Sequence, residues 1–314
     1  MRAALLGSIV ALCASSATAE TTTLTLGTAT PGGGFAVYGQ AVADRIGVTD
    51  PSLRIELRAT RGSGENVPLL EAGELDLALI EGTIAHDVVG DGREPAKLPV
   101  VAAMYPSAGM FVVRADSPYR KVADLKGRRV VFGASSSGLV VLARYVLDGL
   151  DLDMQKNFDA VLLESAKDGP PQVLDGSAAA LWGGGLGWPG FEAIAKSAEG
   201  GRFIGLEAAD IGRIQARHPF LKKLTVPAGS YTGQDRDIVT VGAWSMILAR
   251  PGLSDDVVQR FVRALYGADP SGKSSSQLRE TTAENTRDAV PDVRVLHPGA
   301  RRYLEGATAR KETR

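Results

Sequence analysis

The chain has one cysteine in 314 residues, Cys13. It lies inside an N-terminal stretch that reads as a cleavable leader, so the mature protein is expected to hold neither thiol nor disulfide and to rely on its core. Histidine is scarce too. His86, His218 and His297 are scattered without metal-ligand spacing, which gives no reason to expect a metal. Net charge is nearly absent, with 36 acidic against 35 basic residues. That balance leaves no electrostatic footprint for nucleic acid. After the leader no run reaches about 18 consecutive uncharged apolar residues, the length a spanning helix needs. Nor is there a Gly-x-Ser-x-Gly elbow, a Walker loop or a His-Glu-x-x-His helix. A nucleophile at Ser135, Ser136 or Ser137 would need a base within reach, and the sequence nominates none. Enzyme activity is therefore the weaker class, and no cofactor is expected.

The leader itself is read over residues 1–19. Met1-Arg2 precedes an apolar run from Ala3 to Ala14, and small residues end it at Ala17-Thr18-Ala19. This is the charge, length and exit of a secretory signal. Large Leu12 before Cys13 argues against lipid attachment. Hydrophobic residues make up 44% of the chain, enough for nearly all of it to fold, and the length allows two domains.

Beyond the leader the sequence repeats itself. A strand at Leu24 to Leu26 runs into the turn Gly27 to Gly34 and then a helical stretch. Arg129 to Phe132 runs into Gly133-Ala134-Ser135-Ser136-Ser137-Gly138 and another. In each copy a second strand, a second helix, a glycine and a third strand follow: Arg54 to Arg58, Gly73, Leu75 to Ile80 in one, and Ala160 to Leu163, Gly176, Ala178 to Trp182 in the other. Short continuous apolar strands between amphipathic stretches predict parallel sheets covered on both faces. The second helix is expected to be capped by Ser63, with Pro68 in its first turn and Gly73 as its stop. The chain should cross to a second lobe near Tyr105 to Ala115. A long strand from Ile238 to Ala249 should bring it back, followed by a helix capped by Ser254. The predicted fold class is α/β, two lobes with a hinge and a ligand cleft between them. Lobe one is read as 20–112 plus 228–314 and lobe two as 113–227.

The turns at Gly32-Gly33-Gly34 and at Ser135-Ser136-Ser137-Gly138 each stand where a strand ends and a helix begins. Free N–H groups and the helix dipole attract carboxylate or phosphate there, and in open α/β sheets ligands gather outside the strand carboxyl ends. Either turn alone is ordinary turn chemistry; the matched pair favours a ligand. Phe35, Tyr38, Tyr105, Trp182, Trp188 and Tyr231 fall at or beside strand ends, where some suit a small polar organic ligand and others fill the core. Glu65, Glu81 and Asp237 could each meet an ammonium group. A competing reading is a dinucleotide fingerprint at Gly185-Leu186-Gly187-Trp188-Pro189-Gly190 with Glu207 downstream. Pro189 has no N–H to offer a pyrophosphate and Trp188 is bulky where the backbone must approach.

Three segments together resemble the TAXI family, the solute-binding subunits of tripartite ATP-independent periplasmic (TRAP) transporters. They are Leu26 to Phe35, Gly62 to Ile80 and Pro227 to Asp235, and the second is the most specific. The resemblance runs from about Leu24 to about Leu265. It implies a periplasmic receptor that captures a small organic acid (an amino acid, dicarboxylate or keto acid) and passes it to an ion-coupled permease, acting as a monomer. Carried over by position, it implies ligand contacts from Thr30, Gly33 and Phe35 in the first turn. Ser63 and Asn66 would contribute from the second helix and Glu81 from the end of the third strand. Ser135, Ser136 and Ser137 would close from the other lobe. The first turn departs from the family pattern, with Phe35-Ala36 where two tyrosines are usual, and Glu81 stands where glutamine is frequent. An ABC-importer or sensor binding protein is the alternative, and a secreted dinucleotide-dependent or hydrolytic enzyme a more distant one.

Overall fold

The computed structural model describes residues 21–267 and 276–312; the leader read over 1–19 lies outside them. The first half of the chain forms β1 (Thr22–Gly27), α1 (Gly34–Thr49), β2 (Leu53–Arg58), α2 (Ser63–Glu71), β3 (Leu77–Ile80) and α3 (Gly82–Val89). After β4 (Val100–Arg114) come β5 (Arg129–Ala134), α4 (Gly138–Gly149), α5 (Met154–Asn157), β6 (Asp159–Leu163), α6 (Gly169–Leu174), β7 (Ala180–Gly184), α7 (Pro189–Ala195), β8 (Gly201–Ile204), α8 (Ala208–Arg217) and β9 (Lys222–Val226). Then β10 (Ile238–Ala249) leads into α9 (Asp255–Leu265), α10 (Ser276–Arg279), α11 (Ala283–Ala289) and α12 (Pro298–Glu312).

The repeat in the sequence is a repeat in the sheet. β1 pairs in parallel with β2 on one side and β3 on the other, and β5 pairs in parallel with β6 and β7 in the same way. Each set of three is completed by an antiparallel strand from elsewhere in the chain. β10 joins β3, and β4 joins β7. β4 and β10 also pair with each other, so these two long strands cross between the halves. A strand 15 residues long can serve both halves only if nearly all of it is apolar, and β4 is buried at almost every position.

Helix α9 packs its apolar stripe, Val258, Phe261 and Val262, into the same cluster as Tyr38, Val42 and Ile46 of α1. Helix α9 of the late block thus packs against α1. Asp76 ties three strands there. Its carboxylate accepts from the amide and hydroxyl of Thr25 at 2.9 and 3.0 Å and from Arg250 at 2.9 Å.

Local signals at helix starts require three corrections. The N-cap of α2 is Gly62, at φ 111°, and Ser63 is the first helical residue; its hydroxyl is turned to accept the amide of Glu81 at 2.9 Å. Pro68 sits in the helix body instead of the first turn, where it forgoes one i→i−4 bond. Ser254 does occupy the N-cap of α9 but makes no side-chain cap bond. Gly73 behaves as expected, ending α2 at φ 74° with its amide on the carbonyl of Leu70.

Candidate functional site

Four connections converge where the two halves face one another: β1 to α1, β2 to α2, β3 to α3 and β5 to α4. They enclose a cavity of about 50 Å³. The first half contributes Thr30, Gly33, Gly34 and Phe35 from the first turn, Arg61, Gly62 and Ser63 from the second, and Glu81 from the third. Tyr105 and Ser107 come from β4. The second half contributes Phe132 to Ala134, Ser137 to Leu139, Ala166, Trp182, Gly184 and Trp188.

The halves are latched shut around this space. The amide of Gly64 donates to the carbonyl of Ser136 at 3.1 Å. Thr30 Oγ1 accepts the amide of Ala166 at 3.1 Å, and the carbonyl of Pro31 accepts Ser165 Oγ at 3.1 Å and the amide of Lys167 at 3.3 Å. Gly32, at φ 80°, lies so near the backbone of Lys167 that a Cβ would come within 2.8 Å of it. Only glycine suits both demands.

Four helices of eight or more residues begin on the cavity wall, three of them, α1, α2 and α4, at its glycine- and serine-rich turns. α1 and α2 start on glycine N-caps with no side-chain cap, whereas at α4 Ser137 Oγ accepts the amide of Leu139 at 3.2 Å. Among the described residues, the amides of Gly34, Phe35, Ser63 and Gly138 meet no protein acceptor. Unpaired donors at helix starts carry partial positive charge and favour an anion.

Glu81 caps the fourth helix, α3, from the end of β3. Its Oε2 accepts from the amide of Thr83 at 2.9 Å and also from the Thr83 hydroxyl. Oε1 is buried and has no partner. The residue is 1% exposed. Burial pushes its carboxyl up to about 7, against the hydrogen bonds from Thr83, Gly82 and Ile84 that favour the charged form. Gly138 of the opposite half is packed so closely that a Cβ there would stand 2.3 Å from Glu81 Cβ. Tyr105 also lines the cavity, and burial holds its phenol well above the usual range. Arg61, the one cation on the wall among the described residues, is exposed and paired with Glu65 at 3.2 Å.

Of the residues nominated from the sequence, Thr30, Gly33, Phe35, Ser63, Glu81, Ser137 and Trp182 lie on this wall. So do Tyr105 and Trp188, whereas Tyr38, Asn66, Ser135, Ser136 and Tyr231 are turned elsewhere. Tyr38 is fully buried, its hydroxyl 2.7 Å from Thr281 Oγ1 and its ring edge-on to Tyr105. Asn66 donates to the carbonyls of Thr28 and Leu79 at 2.8 and 2.9 Å, tying the ends of β1 and β3. Ser135 is exposed, with its amide on the carbonyl of Leu163, and Ser136 presents its carbonyl to Gly64. Tyr231 lies outside the cavity: its hydroxyl donates to the carbonyl of Gly185 at 3.1 Å and accepts the amide of Gly187 at 3.2 Å. Ser107, Arg61, Phe132, Leu139 and Ala166 were not nominated. Arg61 in Arg-Gly-Ser-Gly carried a usable signal; Leu139 and Ala166 have no polar group to betray a site.

The glycine-rich loop 185–190 does not form a dinucleotide cradle. The ring of Trp188 covers it, since a Cβ on Gly190 would lie 2.2 Å from that ring, and the amide of Gly187 is held by Tyr231. β7 and β8 flank antiparallel β4 instead of lying side by side, unlike the adjacent parallel strands of that motif. Among the described residues no group of three or more His, Cys, Asp or Glu could hold a metal ion, and no helix is long and apolar enough to cross a membrane.

Residues 26–307 match the NMT1-like family. The chain belongs to that family. In overall shape it is similar to CAE31940 from Bordetella bronchiseptica RB50, with 14% identity and a TM-score of 0.51 over 93% of this chain and 82% of that one. It is also similar to Tv2483 bound to L-arginine, with 9% identity and a TM-score of 0.50 over 78% and 84%. The periplasmic aliphatic sulphonate binding protein SsuA from Escherichia coli aligns with 17% identity and a TM-score of 0.47 over 77% and 72%. The chain shares its two-lobed α/β fold with the first two of these structures.

Proposed function

We propose that this NMT1-like protein is an exported solute receptor whose lobes close on a small carboxylate-bearing molecule without transforming it. The observation that carries this reading is the set of unpaired amides at Gly34, Phe35, Ser63 and Gly138, from three helix starts, around one cavity. The partner we assign is a TRAP-type permease in the manner of the TAXI receptors, on the strength of the three sequence segments; an ABC importer is the alternative. A neighbouring gene for a large permease with a small membrane subunit supports the first, and an ATPase gene the second. The moving bodies are 20–112 plus 228–314 and 113–227, hinged on β4 and β10. The hydrogen bonds that latch the halves across the cavity must break for a solute to enter, so loading parts the lobes.

The test is a thermal-shift screen of protein from Glu20 onward, unfolded and refolded to strip retained solute. The panel is pyruvate, lactate, succinate, 2-oxoglutarate, alanine and glutamate. A binder at one hundred times its Kd stabilises by about 2.7 kcal/mol. Silence across the panel with a rise for a nicotinamide nucleotide would overturn the receptor reading.

A further inference from the structure

The cavity contains a conflict that the receptor reading leaves open. Its helix starts favour an anion, yet its one buried ionisable carboxyl, Glu81, would repel that anion if charged. The geometry around Glu81 resolves it. Oε2 is engaged as an acceptor by Thr83, while Oε1 is buried without a hydrogen-bond partner on a residue that lines the cavity. A buried oxygen left without a partner is costly, and a protonated Oε1 needs only an acceptor to satisfy it.

We propose that Glu81 is protonated in the loaded state and donates its Oε1 hydrogen to the anionic group of the ligand, so that each anion is captured together with one proton from solvent. This inference rests on the receptor reading and narrows its ligand to carboxylates that need no ammonium group. The neighbours permit it. α2 faces Glu81 with the Ser63 hydroxyl, α4 with Gly138 and Ser137, its own helix with Thr83, and β4 with Tyr105. None of these side chains carries charge near neutral pH. Among the described residues the cation on the wall, Arg61, is exposed and already paired with Glu65. The upward push on the Glu81 carboxyl to about 7 has burial as its largest cause and no charged partner among its causes.

The experiment is calorimetric titration of the refolded full-length mature protein with pyruvate, lactate, succinate and 2-oxoglutarate, with alanine and glutamate as ammonium-bearing probes. Each titration is repeated in buffers of different ionisation enthalpy at several pH values. Proton capture predicts uptake approaching one proton per ligand at pH 8 and a Kd that rises about tenfold per pH unit above the carboxyl's pKa. Glu81→Gln should bind the same ligand with no proton uptake and a flat pH profile, because its amide donates permanently. Binding by wild type without proton uptake overturns the inference and leaves the receptor reading standing. So does tighter binding as pH rises with alanine or glutamate preferred, which would mean an ionised Glu81 accepting from ammonium. No binding by any probe overturns both. The wild-type pH series stands on its own should the variant fail to fold.

Discussion

The two halves share a strand plan but line the cavity with different chemistry. The first half presents Thr30, Arg61, Ser63 and Glu81, and the second presents Phe132, Leu139, Trp182 and Trp188. After β3 the chain places a carboxylate at the start of a helix, Glu81. After the matching β7 it places a loop capped by the indole of Trp188, with Pro189 opening a shorter helix. The helix after β1 begins uncapped, whereas the helix after β5 is capped by Ser137. Duplication of a fold thus keeps the helix starts in place and lets their side chains divide the work. The first half lines the cavity with more polar side chains and the second with more apolar ones.

Removing the apolar cover should have the largest effect. Trp182 is fully buried, meets Phe111 edge-on, and donates its indole N–H to the carbonyl of Leu139 at 2.7 Å. Trp182→Ala should cost about 3–5 kcal/mol of stability, measured by urea unfolding. A loss under 1 kcal/mol would mean that the second half's wall is not part of its core.

The polar lobe is broken at Glu81. Its folded carboxyl is raised from 4.5 to about 7, so the stabilising contribution of the protonated form is full below 4.5 and is lost as pH rises through about 7. Glu81→Gln lacks this loss. Above pH 7 the variant should gain about 3 kcal/mol relative to wild type compared with the difference at pH 4, read from paired melting curves across pH. A constant difference would show that the carboxyl is not desolvated.

The smallest change sharpens the contrast between the two helix starts. Ser137→Ala removes the α4 cap and should cost about 1 kcal/mol. At the matching Gly33, which has no side chain to remove, Gly33→Ser tests whether α1 lacks a cap because one is harmful; binding should weaken while stability holds. Denaturant and ligand titrations of both variants separate the two effects.

The fold was legible because it rests on periodicity and repetition. Two glycine-rich turns a hundred residues apart, each between a strand and a helix, already specify two similar units; the full length of β4 was not legible, because Pro106 and Ser107 interrupt its apolar run. The site was legible only in part. Sequence places Tyr38 and Tyr231 beside strand ends and turns and Asn66 at a helix start, but does not show which way they face. Tyr38 turns to Thr281 in a distant segment, Asn66 joins two strand ends, and Tyr231 fixes the loop that carries Trp188. Ser63 looked like a cap because its residue type is common there; Gly62 took the position because the chain needs positive φ. Ala166 is placed in the wall by a latch to Thr30 across the lobes, a pairing 136 residues apart in the chain.

Closure of the two halves on a ligand is the central claim, and tryptophan fluorescence tests it most directly. Of three tryptophans, Trp182 and Trp188 lie on the cavity wall while Trp244 lines a separate groove. Gly138→Val would put a side chain into Glu81 and hold the lobes apart. The account predicts a saturable change in wild-type emission with one of the small carboxylates, and loss of at least a hundredfold in affinity in Gly138→Val. An equal response from the variant would contradict it.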